Sequence, residues 1–470
     1  MKKSLFVLLT LLLLALMLVA CGSDSGDSAV INDPGEPAET ELIMDFEGFE
    51  LVIAGWDRQW WEPVVGNSAH EDAMVERMNF VQDSYNVTIR FVTLGSHDAF
   101  EQTLPQVMAG DFPFDVLTTT VWSTGPFLAN NMFQPLNELP ALELDQPFWE
   151  PAINQLGTLD GNQYLMTPTF FHLYAGSLAY FYNREIIEEL GLESPTELYL
   201  AGEWTFEKMM ELAIAATQDL TGDGVMGHND RFGISAVDPF GDFAVGQFLA
   251  SGLRFIGQGP DGNMELQFGS DQHFGVVRDL NRLFDSGAML LQPGNENQFV
   301  WFNQFTDGLA LFFPNTLGLK AYIAMNALFD FGFVPPPRWD FQDTHFAAIN
   351  HNSQVMGMLA NNPNNEMVAT IMNAMAEAGQ AEVTIDLDEK FWVKGWIPCE
   401  DTFAYVQGVS ANYMIADQAA IMGNPNHFRD FILGTRGVIA EALYQDADVA
   451  TVFERNHPRT QALLEDFWWR

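Results

Sequence analysis

Cysteine and basic residues are scarce in this chain of 470 residues. Only Cys21 and Cys399 occur, so no disulfide framework can hold the fold. Lys and Arg number 20 against 63 Asp and Glu, a formal net charge of −43. A surface of that sign repels phosphate backbones and anionic headgroups, which excludes nucleic acid as a partner. It mildly favours cationic ligands. It also fits general surface acidity in a salty or alkaline habitat, and that plainer reading is preferred. No G-x-S-x-G elbow and no P-loop is present, and the nine histidines include no close pair at metal-ligand spacing on one helix face. His345 and His351 are six apart in a loop-like stretch. Carboxylates are so numerous that nominating any two as a glycosidase pair carries no information.

Long apolar runs are also scarce, and the one present is N-terminal. Residues 1–20 open with Lys2 and Lys3 and then run apolar from Leu5 to Ala20. That is short of the ~20 residues of a spanning helix and has the shape of a secretory signal. The run ends "LVAC", followed by Gly22 and Ser23. This resembles a bacterial lipobox, in which cleavage leaves Cys21 as the lipidated first residue. The alternative is an ordinary signal peptide that contains a cysteine. By the resemblance Cys21 carries a diacylglycerol, and at ~0.8 kcal/mol per buried CH₂ two acyl chains anchor where one is marginal. The chain would then be tethered outside the cytoplasmic membrane. Cys399, in "GWIPCEDTFAYV", reads as a small buried apolar side chain. Residues 21–47, rich in Ser, Gly, Pro and acids, read as a flexible acidic tether. Roughly 420 residues remain, too many for one ordinary core, so two domains or lobes are expected.

The first of these opens with alternating elements. "FELVIAG" reads as a strand, "HEDAMVERMNFVQDSYN" as a helix with Met74, Met78 and Val81 on one face, and "VTIRFV" as a second strand. "DAFEQTLPQVMAGD" is helical despite Pro105, and "PFDVLTTT" is a third strand. Such β-α-β-α-β alternation argues for a largely parallel sheet, with ligands beyond the carboxyl ends of its strands. That puts "GWDRQWWEP" (residues 55–63) and "TTTVWST" (residues 118–124) on one rim. Further on, Asn183 caps "REIIEELGL". Thr205 caps "FEKMMELAIAA", with Trp204 and Met209 spaced as a hydrophobic staple, so Trp204 reads as structural.

The stretch "DLTGDGVMGHND" places Asp219, Thr221, Asp223 and Asp230 at loop positions one, three, five and twelve, with Gly224 at six and the Val225 carbonyl at seven. Calcium takes six to eight hard oxygens, and a glycine permits the sharp turn. Gly227 offers no side chain at nine, and Asp replaces the bidentate Glu at twelve. The exit "RFGISAV" reads as a strand, so this is no paired EF-hand. Structural Ca²⁺ is expected, and a metal-free Asp/Gly turn is the alternative. "GQGPDG" (residues 257–262) fits G-x-G-x-x-G, but a turn and the strand-like "NMELQF" follow it instead of a helix, so it reads as a hairpin.

Several segments occur together in order: the lipobox, "MAGDFPFDVLTTT", "LANNMFQPLNEL", "LDGNQYLMTPTF", "AYFYNREIIEELGLESP", "GEWTFEKMMELA", "DLTGDGVMGHNDRFGI", "FTDGLALFF" and "FGFVPPP". In this succession the chain resembles extracellular solute-binding proteins of bacterial ABC importers, of the carbohydrate-binding type related to maltose-binding protein. It departs from them at Leu309, Ala310 and Leu311, where the family has a small residue plus Met, and beyond Asp386. The resemblance implies an α/β, two-lobe periplasmic-binding-protein fold with a hinge and a central ligand cleft. Lobe 1 would comprise residues 48–168 with 339–385, and lobe 2 residues 169–338 with 386–470. The chain would cross first near Pro168 and again at "GFVPPP". It also implies a monomer that closes on a small-molecule sugar and then docks on membrane permease subunits, with no catalytic chemistry. Closure is a population shift driven by the ligand's better contacts with the closed state.

The indoles fit that use. A sugar's C–H face is apolar while its hydroxyls demand hydrogen bonds. Covering one indole face removes roughly 100 Å² from water, about 2.5 kcal/mol at ~25 cal/mol/Å². One or two of Trp56, Trp60 and Trp61 are expected to face ligand and the rest to be core, with Trp56, Asp57 and Trp60 the chosen candidates. Trp122 beyond the third strand, Phe170 and His172 at the first crossing, Asp238 after "FGISAV", and Asn315 in "FFPNTLG" complete the set. Rival readings are another polar solute, such as a polyamine or peptide, and a secreted glycoside hydrolase.

Overall fold

The computed structural model describes residues 42–55, 61–94, 99–171, 173–236, 243–258, 264–291, 299–346, 353–380, 441–443 and 448–468. Two four-stranded sheets organise them. The first begins with β1 (Phe49–Gly55), α1 (Ala69–Tyr85), β2 (Val87–Thr93), α2 (Ala99–Met108) and β3 (Val116–Thr120). β1 lies parallel to β2, from Phe49 opposite Val87 to Gly55 opposite Thr93, and parallel to β3 through Ile53 and Val116. The alternation read from the sequence is therefore present, Pro105 included.

Local chemistry sets these boundaries. Ser68 accepts the Glu71 N–H at the start of α1, and Asn86 ends it in the left-handed region at φ 47°. Asp115, ahead of β3, accepts the Val52 N–H and the Asn362 amide, each at 2.8 Å. Burial nevertheless raises its carboxyl above the ordinary value.

A fourth strand comes from far along the chain. Gln354–Met358 pairs antiparallel with β3, Gln354 facing Thr120. The next helix, Asn365–Ala378, packs its buried Val368, Ile371, Met372 and Met375 into the same core as Leu51, Ile53 and Val81.

The second sheet is built from β4 (Leu178–Asn183), β5 (Phe232–Ile234), β6 (Ala310–Thr316) and β7 (Phe331–Val334), and the strand from 354 is then β8. The orders are β8-β3-β1-β2 and β7-β4-β6-β5. β4 runs antiparallel to both β6 and β7, and β5 runs parallel to β6. The helices α3 (Arg184–Leu190), α4 (Phe206–Ala216), α5 (Ala244–Ala250) and α6 (Asp271–Asp285) belong with this sheet, α7 is Asn365–Ala378, and α8 (Val449–Trp468) closes the chain. Trp204 is fully buried, and its indole N–H donates to the Pro335 carbonyl at 2.8 Å. That is the structural role its capping position suggested. Ile256–Gln258 and Met264–Leu266 form the hairpin expected of "GQGPDG".

Two segments differ from the expected layout. Residues 42–47, assigned by composition to the tether, are fastened to the end of α1: Ile43 and Met44 donate to the Ser84 carbonyl, Phe46 donates to Tyr85, and their rings stack at 6.1 Å. Trp339, the expected start of the return to lobe 1, stacks on Phe206 at 4.7 Å, and Gln342 donates to the Ala250 carbonyl. This stretch therefore packs with helices of the second sheet, and the first sheet is rejoined only at β8.

Candidate functional site

The carboxyl ends of β1 and β3 lie side by side. Gly55 ends β1 with no room for a side chain: a Cβ there would sit 2.8 Å from the Thr118 carbonyl and 3.2 Å from its Cβ. β3 ends in three buried threonines, Thr118 to Thr120, and turns through Val121–Ser123. Thr120 donates to Ser123 at 3.0 Å, and the Val121 N–H donates to the Ser353 carbonyl at 3.0 Å. Ser353 thereby joins this rim. Thr167 also reaches it, its hydroxyl donating to the Gln354 carbonyl at 3.1 Å. The hydroxyls of Thr118 and Ser353 are buried without a hydrogen-bond partner.

The second sheet presents a comparable rim. β6 ends at Asn315 and Thr316, beside the start of β4, where Leu317 donates to the Ser177 carbonyl at 2.8 Å. The Asn315 Oδ1 accepts the Thr316 N–H at 2.7 Å, leaving its NH₂ as the remaining donor. β5 continues into Ser235, whose hydroxyl donates to the Trp301 carbonyl. The Tyr180 phenol and the Gln247 amide beside it are fully buried. Burial drives the Tyr180 phenol well above its usual range, with the nearby Gln247 amide opposing. The rim groups named here, Thr118, Thr120, Ser123, Thr167, Ser353, Ser235, Asn315 and Thr316, are hydroxyls and an amide.

The loop at Asp219 is closed by its own hydrogen bonds. Asp219 accepts the N–H groups of Gly222 and Gly224, Asp223 accepts that of Val225, and Asp230 accepts those of Leu220, Thr221 and Gly227. These donors hold the Asp219 and Asp230 carboxyls below the usual carboxylate range. Among the described residues, no group of three or more His, Cys, Asp or Glu is gathered so as to hold a metal ion.

The family model described as bacterial extracellular solute-binding protein matches residues 74–399, well over half of the chain. The chain belongs to that family. No curated protein matches it in sequence. Its fold is shared with solved binding proteins. The GacH receptor of Streptomyces glaucescens, solved unliganded and with acarbose, is 14% identical, with 89% of this chain and 99% of that one covered and a TM-score of 0.57. The cyclic α-maltosyl-1,6-maltose binding protein of Arthrobacter globiformis is 14% identical over 89% and 100%, with a TM-score of 0.59. UgpB of Mycobacterium tuberculosis, solved with glycerophosphocholine, is 16% identical over 89% and 98%, with a TM-score of 0.56. At such identities the likeness establishes the fold: this binding protein has the two-lobe periplasmic-binding-protein architecture, with a hinge and a central cleft.

In that architecture the sequence candidates separate. Trp122 is half-buried in the turn after β3, and Asn315 is half-buried at the end of β6, so both stand at rims. Trp56, Asp57, Trp60, His172, Asp238 and Cys21 lie outside the described residues. Phe170 is a correction. Its ring is fully buried between Trp61, Phe171 and Arg77, and it packs the core of the first sheet without a face for solute. Trp61, the third indole of "GWDRQWWEP", is core at 4% exposure. Sequence reasoning missed Ser353, one of several polar residues in "NHNSQ", and Gln247 and Tyr180, which sit in apolar stretches, because none announces its place until the sheet order is known. It also passed over Arg77, whose one signal was a cation between Met74 and Met78 on a core-facing helix.

Proposed function

We propose that this binding protein is the lipid-anchored substrate-binding component of an ABC importer, and that it captures a carbohydrate, an oligosaccharide, in the interlobe cleft and delivers it to the permease. The observation that carries the reading is the chemistry of the rims: neutral hydroxyls and amides on both sheets, with the Trp122 indole among them. Neutral donors and acceptors beside an aromatic face suit a polyhydroxylated solute. The acarbose bound by the GacH receptor points the same way. Anchoring through Cys21 rests on the lipobox. No helix among the described residues is long and apolar enough to cross a membrane. The division into lobes, with the first crossing at Pro168 and the return between Gln342 and β8, action as a monomer and the lack of catalysis belong to the same proposal.

The glycerophosphocholine of UgpB supports a second reading, another polar solute. Melting shifts across a panel of mono- and oligosaccharides, spermidine and glycerophosphocholine separate the two. A ligand at 100 Kd adds about 2.7 kcal/mol of stability. A shift with an oligosaccharide supports the sugar reading. A shift with spermidine or glycerophosphocholine alone refutes it.

Structural calcium at the Asp219 loop is also proposed. The Asp219 charge raises the cost of ionising Asp230. A cation held by Asp219, Thr221, Asp223, the Val225 carbonyl and Asp230 would relieve that repulsion.

A further inference from the structure

The chain enters the first sheet through a fastened turn. Ile43 and Met44 both donate to the Ser84 carbonyl, at 2.7 and 3.2 Å. Phe46 donates to Tyr85 at 3.0 Å, and Gly48 donates to Asn86 at 2.9 Å. These carbonyls lie at and just past the end of α1, where a helix has no N–H groups of its own to offer. Four N–H groups of the entering segment supply them instead.

Side chains add to these bonds. The Asp45 Oδ1 accepts the Asn86 amide at 2.7 Å and the Glu47 N–H at 2.8 Å. Phe46 stacks on Tyr85, and both pack against the core of the first sheet, as does Ala378 at the end of α7.

The turn itself holds strain. Phe49 donates to the Phe46 carbonyl at 3.0 Å, and the residues between, Glu47 and Gly48, have φ of 56° and 78°. Glycine takes such angles freely, and a glutamate keeps one only where its surroundings impose it. Seven residues that read as linker by composition are therefore a built element.

Their exposed side chains give the fastening a use. Leu42, Ile43 and Met44 are 50, 58 and 47% exposed. Accessible bulky apolar residues are what a thermolysin-type endopeptidase cuts before, yet a protease must first draw its substrate into an extended form, and the bonds to α1 withhold that form. We propose that residues 42–48 are a guard strap. It closes the end of α1 and keeps a ready cleavage sequence at the edge of the folded body from endopeptidases outside the cell. A cut within the strap would uncap α1. The need for a guard follows from membership of an extracellular family; the fastening stands without it.

Amide hydrogen exchange on the full chain tests the fastening. In the parent the amides of Ile43, Met44 and Phe46 should exchange roughly a hundredfold more slowly than unprotected ones. Gly48→Ala meets no atom within 4 Å of its new Cβ, so its one effect is to force alanine to φ 78°. Exchange at 43–46 should rise about fivefold or more, while β1 and β2 keep their protection. Unprotected amides at 43–46 in the parent overturn the strap.

Thermolysin supplies the second arm, under native conditions, with the cut sites read by mass. Cutting at 42–46 should be slow in the parent and about fivefold faster or more in Gly48→Ala, because it follows the population of the open strap. Glu47→Asn is the check of opposite sign, since asparagine accepts a left-handed angle more readily than glutamate. It should slow both exchange and cutting. Equal cutting in the parent and Gly48→Ala, or faster cutting in Glu47→Asn, overturns the guard.

Discussion

A methyl group at Gly55 tests whether the end of β1 is as crowded as the structure has it. In Gly55→Ala the added carbon meets the Thr118 carbonyl at 2.8 Å, the Thr118 Cβ at 3.2 Å and the Phe91 ring at 3.3 Å. The first belongs to the main chain of β3 and cannot swing aside, so β1 and β3 must separate at the rim. Overpacking of this kind costs about 1–3 kcal/mol. For a lobe of ordinary size that lowers Tm by about 2–10 °C. The disturbance falls where the ligand loop departs, so sugar affinity should drop as well. Gly275→Ala is the control of opposite sign. It lies inside α6 at an ordinary helical angle, with nothing within 4 Å of its added Cβ. Replacing a helical glycine there should stabilise by about 0.5–1 kcal/mol. Urea melts and a binding isotherm on both variants decide the matter. A Gly55→Ala protein as stable as the parent, with undiminished affinity, would refute the close approach of β1 and β3.

His273 should make stability depend on pH. Its Nδ1 accepts the Ser270 N–H, its Nε2 donates to the Arg254 carbonyl, and burial holds its pKa below the ordinary value. A depressed folded-state value favours the neutral ring, so its contribution is complete above about pH 6.5 and is lost as pH falls through the folded value. His273→Gln should flatten the Tm–pH curve in that range, and an unchanged slope would count against it. Chelation by EDTA should lower Tm if the Asp219 loop holds calcium, and an identical melt argues for a loop closed by its own N–H groups alone. Trp56→Ala should abolish the change in tryptophan emission caused by a bound oligosaccharide, and a full response would remove Trp56 from the site.

Local chemistry carried much of the fold into the sequence. The capping of α3 by Asn183, the Thr205 cap beside a buried Trp204, and the pairing of residues 256–258 with 264–266 each depend on neighbours a few residues away. Contacts across long separations were not legible. Nothing in "SQVMGM" says that it pairs with β3, whose threonines lie more than 230 positions earlier. Residues 42–47 look like linker by composition, yet Phe46 has a ring to lay on Tyr85. For the site, strand ends were predictable and side-chain direction was not. "TPTFF" offers two adjacent phenylalanines with no period to choose between ligand and core. Only the guanidinium of Arg77 and the proximity of Gly379 show that Phe170 turns inward.

Small-angle scattering of the full chain, without ligand and with the oligosaccharide that raises its Tm, tests the central claim most directly. Two lobes closing on a sugar predict a radius of gyration that falls on saturation and recovers when the sugar is dialysed away. An unchanged radius at every saturating sugar, alongside compaction by spermidine or glycerophosphocholine, would contradict a carbohydrate-capturing binding protein.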